Sequence, residues 1–299
     1  MKKLLLFSFL FLIFSCSTSH KQIKEIETIK KAEKALELAN QDTLVVFDVD
    51  HTLIKPTSKL LDIIWRPEAF SKSDQKFAHN LIMELAKESY KVKSPQFKDS
   101  IGSKMELKSK FELIEQDLPV VIKNLQQRGV KVIALTGIPC GEYGVIKSQQ
   151  EWRYNHLKEQ FGMDFNYSFT NLKEKSFMDL NPYREAHPKF YKGILFASFN
   201  NKGIVLKKFL EYAQWMPKKI IIFDDRKPNI QDIINTFLDQ HIDMEGFWYQ
   251  AFLTSHPKLD KDIVPFQMKY IHDHGDFIND EEAQKILNLN KQSKEILAY

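Results

Sequence analysis

Leu44-Val45-Val46-Phe47-Asp48-Val49-Asp50-His51-Thr52 is the stretch on which the reading of this 299-residue chain turns. A run of β-branched and aromatic residues that ends abruptly in two carboxylates reads as a buried strand delivering acids at its C-terminal tip. In an open α/β sheet that tip is where chemistry sits. Residues i and i+2 of an extended strand share a face, so Asp48 and Asp50 turn toward one site while Val49 packs away from it. Two carboxylates forced together repel, and the arrangement is tolerated when a cation lies between them or one of them holds a proton. The spacing therefore points to a Mg²⁺ site with one carboxylate as nucleophile and the other as general acid and base. Taken alone, an Asp-x-Asp pair is equally a strand ending at a solvated turn.

The rest of the chain supplies company for this pair. Arg128-Gly129-Val130 reads as a capped helix end feeding the apolar strand Val132-Ile133-Ala134-Leu135, which stops at Thr136-Gly137. A hydroxyl followed by glycine at a strand tip can hold a phosphoryl oxygen with side chain and backbone N–H together. Asn201-Lys202-Gly203 opens an apolar helix and sets an ammonium at its N-terminus, where an anion is also favoured. Lys219 to Phe223 is a second buried strand ending in acids, Asp224-Asp225, with Asn229 shortly after.

Taken in order, these four stretches resemble the motifs of the haloacid dehalogenase superfamily of phosphohydrolases. The resemblance implies that Asp48 attacks phosphorus to form an aspartyl-phosphate and that Asp50 protonates the leaving group and then activates water. It implies that Thr136 and Gly137 orient the phosphoryl group and that Lys202 neutralises charge on Asp48 and the phosphate. Mg²⁺ would be held by Asp48, the backbone carbonyl of Asp50 and Asp225, with Asp224 and Asn229 in support. Thr52 reads as fixing the turn after the strand, and His51 as a loop residue.

Met1-Lys2-Lys3 followed by the apolar run Leu4 to Phe14 is a short positive start and a hydrophobic stretch too brief to span a bilayer, the pattern of an export signal over residues 1–16. Ile13-Phe14-Ser15-Cys16 resembles a bacterial lipoprotein cleavage site with Cys16 as the lipidated residue; cleavage within Ser17-Thr18-Ser19 is the alternative. The expected location is the periplasm or the outer face of a bacterial membrane, with membrane contact only through a lipid. Loss of Lys2 and Lys3 with the signal takes the formal net charge from +4 to +2, which gives no reason to expect nucleic acid as a partner. Cys140 is then the only cysteine, which excludes an internal disulfide and reads as a buried, inert thiol.

The expected architecture is an α/β Rossmannoid parallel sheet flanked by helices, built from residues 43–54 and 119–270, with a helical cap at 55–118. Residues 17–42 read as a leading amphipathic helix or spacer and 271–299 as a C-terminal helix and tail. Within the cap, Trp65 reads more readily as core than as substrate contact, and Arg66 and the lysines after Tyr90 could reach a substrate. Residues 143–161 read as a helix, Phe165 to Phe169 as a strand, and Asn171 to Lys192 as a loop excursion. The function these expectations converge on is Mg²⁺-dependent hydrolysis of a small phosphomonoester. A phosphotransferase on the same scaffold, or a membrane-anchored interaction protein with a vestigial site, are the alternatives left open.

Overall fold

The computed structural model describes residues 21–88, 94–255 and 257–296. The expected export signal, Cys16, and Lys91 and Lys93 after Tyr90 lie outside the described residues. Eight strands form one sheet. They are, with the helices between them, β1 (Lys21–Ile26), α1 (Glu33–Glu37), β2 (Thr43–Phe47), the off-sheet β3 (Ile54–Pro56), α2 (Lys59–Trp65), α3 (Lys72–Glu88), α4 (Pro95–Lys108), the off-sheet β4 (Phe111–Leu113), α5 (Leu118–Gln127), β5 (Lys131–Thr136), α6 (Gln149–Asn155), β6 (Lys175–Ser176), β7 (Lys189–Tyr191), β8 (Ile194–Phe196), α7 (Lys202–Ala213), β9 (Lys219–Asp224), α8 (Lys227–Thr236), β10 (Asp243–Tyr249), α9 (Ile263–His274) and α10 (Asp280–Ile296). The sheet order is β1-β10-β9-β2-β5-β8-β7-β6. The first six of these run parallel, and β7 and β6 are antiparallel additions at one edge.

Alternation along β2 divides its side chains between two cores, as expected of a strand covered on both faces. Val45 and Phe47 pack with Ile122 and Leu125 of α5 and with Val132 and Ala134 of β5. Leu44 and Val46 pack on the other face with Val205, Leu206, Phe209 and Leu210 of α7 and with Ile230, Ile233 and Ile234 of α8. Each fully buried side chain of this size stabilises the fold by about 1.5–3 kcal/mol relative to exposure. β2 and β9 thus lie at the centre of the sheet, and their C-terminal tips are its best-braced points.

A third core joins the long insertion to the C-terminal helices. Leu60, Leu61 and Ile63 of α2, Ala78 of α3 and Ile101 and Met105 of α4 pack with Val264 and Ile271 of α9 and with Phe277. Lys108 pairs with Asp276 at 2.8 Å and Lys110 with Glu281 at 2.7 Å along the same seam. Asn279 and Glu282 exchange hydrogen bonds of 3.0 and 3.1 Å across the start of α10, a capping box.

The structure corrects several expectations. Residues 21–26 form the edge strand β1 rather than the first turns of a helix, because pairing with β10 outweighs the three-residue spacing of Ile23 and Ile26. Those two side chains go to opposite faces of the sheet, as an odd separation in a strand demands. The insertion is not all helical: β3 and β4 pair antiparallel as a stem at its base. Phe165–Tyr167 is a 3₁₀ turn with the Phe165 ring buried and Tyr167 exposed, and not a strand. Residues 171–192 contain β6 and β7 and so extend the sheet. The helix expected from Tyr143 begins only at Gln149, since Gly144 adopts a left-handed φ of 57° and Tyr143 and Ile146 bond to each other as a bridge.

Candidate active site

The parallel register pairs Phe47 with Phe223, and the next N–H, that of Asp48, donates to the Phe223 carbonyl at 2.8 Å. Two acid-tipped strands therefore end level, and Asp48 stands beside Asp224. Their carboxylates, with that of Asp225, offer oxygens that all lie within 4.8 Å of one another, and all three residues are buried. Lys202, at the first position of α7 after the N-cap Asn201, reaches between them: its Nζ is 2.7 Å from Asp48 Oδ1 and 2.7 Å from Asp224 Oδ2. Burial alone would discharge this amine, but Asp224 and Asp48 outweigh it and hold Lys202 above the ordinary lysine range. Burial, with Asp48 adding repulsion, pushes the Asp224 carboxyl up against the pull of Lys202. Burial and the neighbouring Asp224 and Asp48 push Asp225 up as well.

Asp225 is tied down from every side. Arg66, just past α2 in the insertion, places Nε 2.7 Å from Asp225 Oδ2 and donates a second bond to its carbonyl at 3.0 Å. Trp248 Nε1 and Gln250 Nε2 donate to that same carbonyl, each at 3.0 Å. The Asp225 N–H donates to Thr52 Oγ1 at 3.1 Å, so Thr52 joins the turn after β2 to the tip of β9. Asn229 donates to both carboxylate oxygens of Asp224, at 2.9 and 3.1 Å. Asp224 thus belongs to the acid cluster, with Lys202 and Asn229 bonded to its carboxylate.

Asp50 lies on the opposite side of Asp48, with its Oδ1 3.2 Å from Arg153 NH2. The Thr136 hydroxyl approaches Asp50 Oδ2 at 3.5 Å, the long limit of a hydrogen bond, and is itself fully buried. Gly137 lines the cleft, and its carbonyl accepts from the Phe199 N–H at 2.9 Å. Ser198 and Phe199 both adopt left-handed φ, 45° and 60°, immediately before Lys202. Such backbone persists where its surroundings over-determine it, and it is concentrated at functional sites.

These groups form the floor of an open cleft of about 500 Å³. Trp65, Asp99 and Glu106 of the insertion and Tyr143 and Gln149 line it as well. Trp65 is therefore both core and lining: its ring meets His51 and Phe111 edge-on or tilted. His51 lies in the turn after β2, as a loop residue, and is anchored there with Nε2 2.7 Å from Asp62 Oδ1 of α2 and its ring buried. Cys140 is buried, its thiol donates to the His187 carbonyl at 3.1 Å, and burial pushes its pKa up.

A family model described as a protein of unknown function, DUF2608, matches residues 23–284. The chain belongs to the DUF2608 family. An uncharacterised protein of Rickettsia prowazekii is 25% identical over 252 residues, which cover 83% of this chain and 84% of the relative. An uncharacterised protein of Rickettsia felis is 31% identical over 116 residues, 39% of this chain and 40% of that one. A protein of Chlamydia muridarum provisionally named an outer membrane protein is 23% identical over 254 residues, 84% of this chain and 85% of that one. No solved structure matches. Among the described residues, no helix is long and apolar enough to cross a membrane.

The family match corrects the haloacid dehalogenase assignment. The model spanning the DUF2608 chain is that of another family, and no haloacid dehalogenase family matches. The physical reason is that acids, a threonine and a lysine at strand and helix ends are what an open α/β sheet offers to any anion site, so short motifs there report local chemistry and not descent. Three residues of the site escaped the sequence reading, Arg153, Glu106 and Gln149, as did the contact of Arg66 with Asp225. Arg153 and Gln149 lie one helical turn apart on α6, a spacing that could have flagged a shared face.

Proposed function

We propose that the chain hydrolyses a small phosphomonoester outside the cytoplasm, with Mg²⁺ and with Asp48 as nucleophile. The observation that carries this reading is the Lys202 ammonium held at 2.7 Å from Asp48 on a floor where three carboxylates converge. Lys202 pairs with Oδ1 of Asp48 and orients the carboxylate, leaving the other oxygen to attack phosphorus. The ammonium and the N-terminus of α7 lower the charge penalty as an anionic ester enters. Asp50, two residues along and facing the same cleft, is placed to give a proton to the departing oxygen. It is then placed to take one from the water that cleaves the aspartyl-phosphate. Arg153 and Thr136 hold Asp50 in position.

The donor set fits a hard divalent cation: three buried carboxylates stand against the two cations Lys202 and Arg66, and burial with mutual repulsion raises Asp224 and Asp225. Asp48, Asp225 and Asp224, with the Asp50 carbonyl, would hold it, and when bound it would neutralise charge on the phosphoryl oxygens. Helices α2 to α4 serve as a cap, since Trp65, Asp99 and Glu106 face the cleft from them. Export is supported by the Met1 to Phe14 pattern and by the name of the Chlamydia relative. The test is phosphate release from aryl, sugar and nucleoside phosphates with Mg²⁺ or EDTA. Metal-dependent release that falls by at least about 10³-fold in Asp48→Asn supports the reading; an unaffected Asp48→Asn enzyme rejects it.

A further inference from the structure

Two acceptor oxygens on the cleft wall have no hydrogen-bond partner among the described residues. Glu106 of α4 is 5% exposed and Gln149, the first residue of α6, is 2% exposed, and both line the cleft. Glu106 Oε2 and Gln149 Oε1 are buried without a hydrogen-bond partner. Native proteins rarely leave buried acceptors unmatched, so a wall carrying two of them is shaped for a donor from outside. The two residues come from separate parts of the chain, one from the insertion and one from the sheet domain, so no single helix end or acidic run creates the pair.

What lies behind them decides the kind of donor. Arg153 is fully buried, with its guanidinium 4.7 Å from the Trp152 ring and 6.0 Å from that of Trp65. One arm reaches Asp50, and its Nε and NH1 have no hydrogen-bond partner among the described residues. A fixed positive charge beside the acceptors disfavours an ammonium. A hydroxyl both donates and accepts, so it can satisfy Glu106 or Gln149 and an arginine N–H at once. The Tyr143 hydroxyl, which burial and the nearby Glu106 keep protonated, lines the same wall.

We propose that Glu106 and Gln149 form a leaving-group subsite for the hydroxyls of a sugar or polyol phosphate, a deepening that rests on the phosphoester reading above. The subsite lies on the Asp50 side of the cleft, so a sugar held there would present its ester oxygen to the group proposed to protonate it. Because a site built to bond hydroxyls is left unpaired by an analogue lacking them, discrimination should be large.

The experiment is calorimetry on the full chain carrying Asp48→Asn, with inorganic phosphate, glucose 6-phosphate and ethanolamine phosphate as probes, alongside turnover by the wild type. The sugar phosphate should bind at least about tenfold more tightly than inorganic phosphate. That ratio should collapse in Glu106→Leu and Gln149→Leu, and be kept in part by Glu106→Gln, which retains one acceptor oxygen and guards against a folding failure in the other two. Equal affinity for sugar phosphate and inorganic phosphate overturns the subsite even if the wild type is a phosphatase. Tighter binding of ethanolamine phosphate than of the sugar phosphate overturns the assignment to hydroxyls. Selective sugar phosphate binding without wild-type turnover supports the subsite while rejecting hydrolysis.

Discussion

The floor of the cleft and its insertion-side wall are both buried and both charged, yet they are built to opposite rules. On the floor each charge meets its complement: Lys202 bridges Asp48 and Asp224, Arg66 grips Asp225, and Asn229 fills the remaining positions on Asp224. On the wall, Glu106 Oε2, Gln149 Oε1 and the Nε and NH1 of Arg153 have neither a hydrogen bond nor an ion pair among the described residues, each costing about 1–3 kcal/mol while unmatched. A matched network holds its members rigid, as charge chemistry requires, whereas unmatched atoms are held ready for something that arrives. Under the function proposed above, this difference puts chemistry on the floor and recognition on the wall.

The sharpest way to break the contrast is to remove the floor's central cation. Lys202→Met leaves Asp48 and Asp224 facing each other without compensation. It should lower unfolding free energy by about 3–5 kcal/mol in urea titration, the loss usual when one partner of a buried ion pair is deleted. A change below about 1 kcal/mol would mean that the floor is not a matched network.

A pH series examines the wall. Glu106 is pushed up from 4.5 to about 7, first by burial and then by Asp50, against the pull of Arg153. Its folded form therefore holds a proton that the unfolded chain has already lost between those values. Stability from this group is full below pH 4.5 and is lost as pH rises toward 7, by up to about 3 kcal/mol at 1.36 kcal/mol per unit. His156, depressed to about 3 by burial and Arg153, works the other way, removing stability as pH falls below its ordinary 6.5. The Glu106 contribution is accordingly read as the difference between wild type and Glu106→Gln, which should lack the downward slope from pH 4.5 to 7.

Metal addition should act on the floor alone. Mg²⁺ at a hundredfold excess over its Kd should stabilise the fold by about 2.7 kcal/mol, and EDTA should reverse this. Asp225→Asn should remove most of the effect in a thermal melt, while Glu106→Gln should retain it. The smallest effect expected comes from the floor's scaffold. A Cβ on Gly203 would lie 2.2 Å from Thr236 Oγ1 and 2.6 Å from the Asp232 carbonyl, so Gly203→Ala must push α7 from α8. It should cost about 1–3 kcal/mol and displace Lys202, its chain neighbour, which lowered turnover as well as stability would reveal.

The floor was legible in the sequence and the wall was not. Strands such as Thr43–Phe47 and Lys219–Asp224 announce themselves because burial on both faces requires continuous apolar runs, and their acid tips stand out against them. Lys202 was found because an N-cap and an apolar helix follow a fixed local grammar. Glu106 sits on α4 among lysines and serines that look like any solvated helix face, and only packing against α9 shows which side is buried. β1 was misread for a related reason: its partner, β10, lies more than 200 residues away, and no local spacing reports such a pairing. The family assignment failed because motif order describes where an open sheet can do chemistry, which many unrelated chains share.

The central claim is that Asp48 is the nucleophile of the floor, and trapping the covalent species tests it most directly. Asp50→Asn enzyme, mixed with a turned-over phosphomonoester and Mg²⁺ and quenched in acid, should carry a phosphoryl group on the peptide containing Asp48, absent from Asp48→Asn. Release of phosphate by the wild type at full rate, with that peptide unmodified at every quench time in both enzymes, would contradict the account.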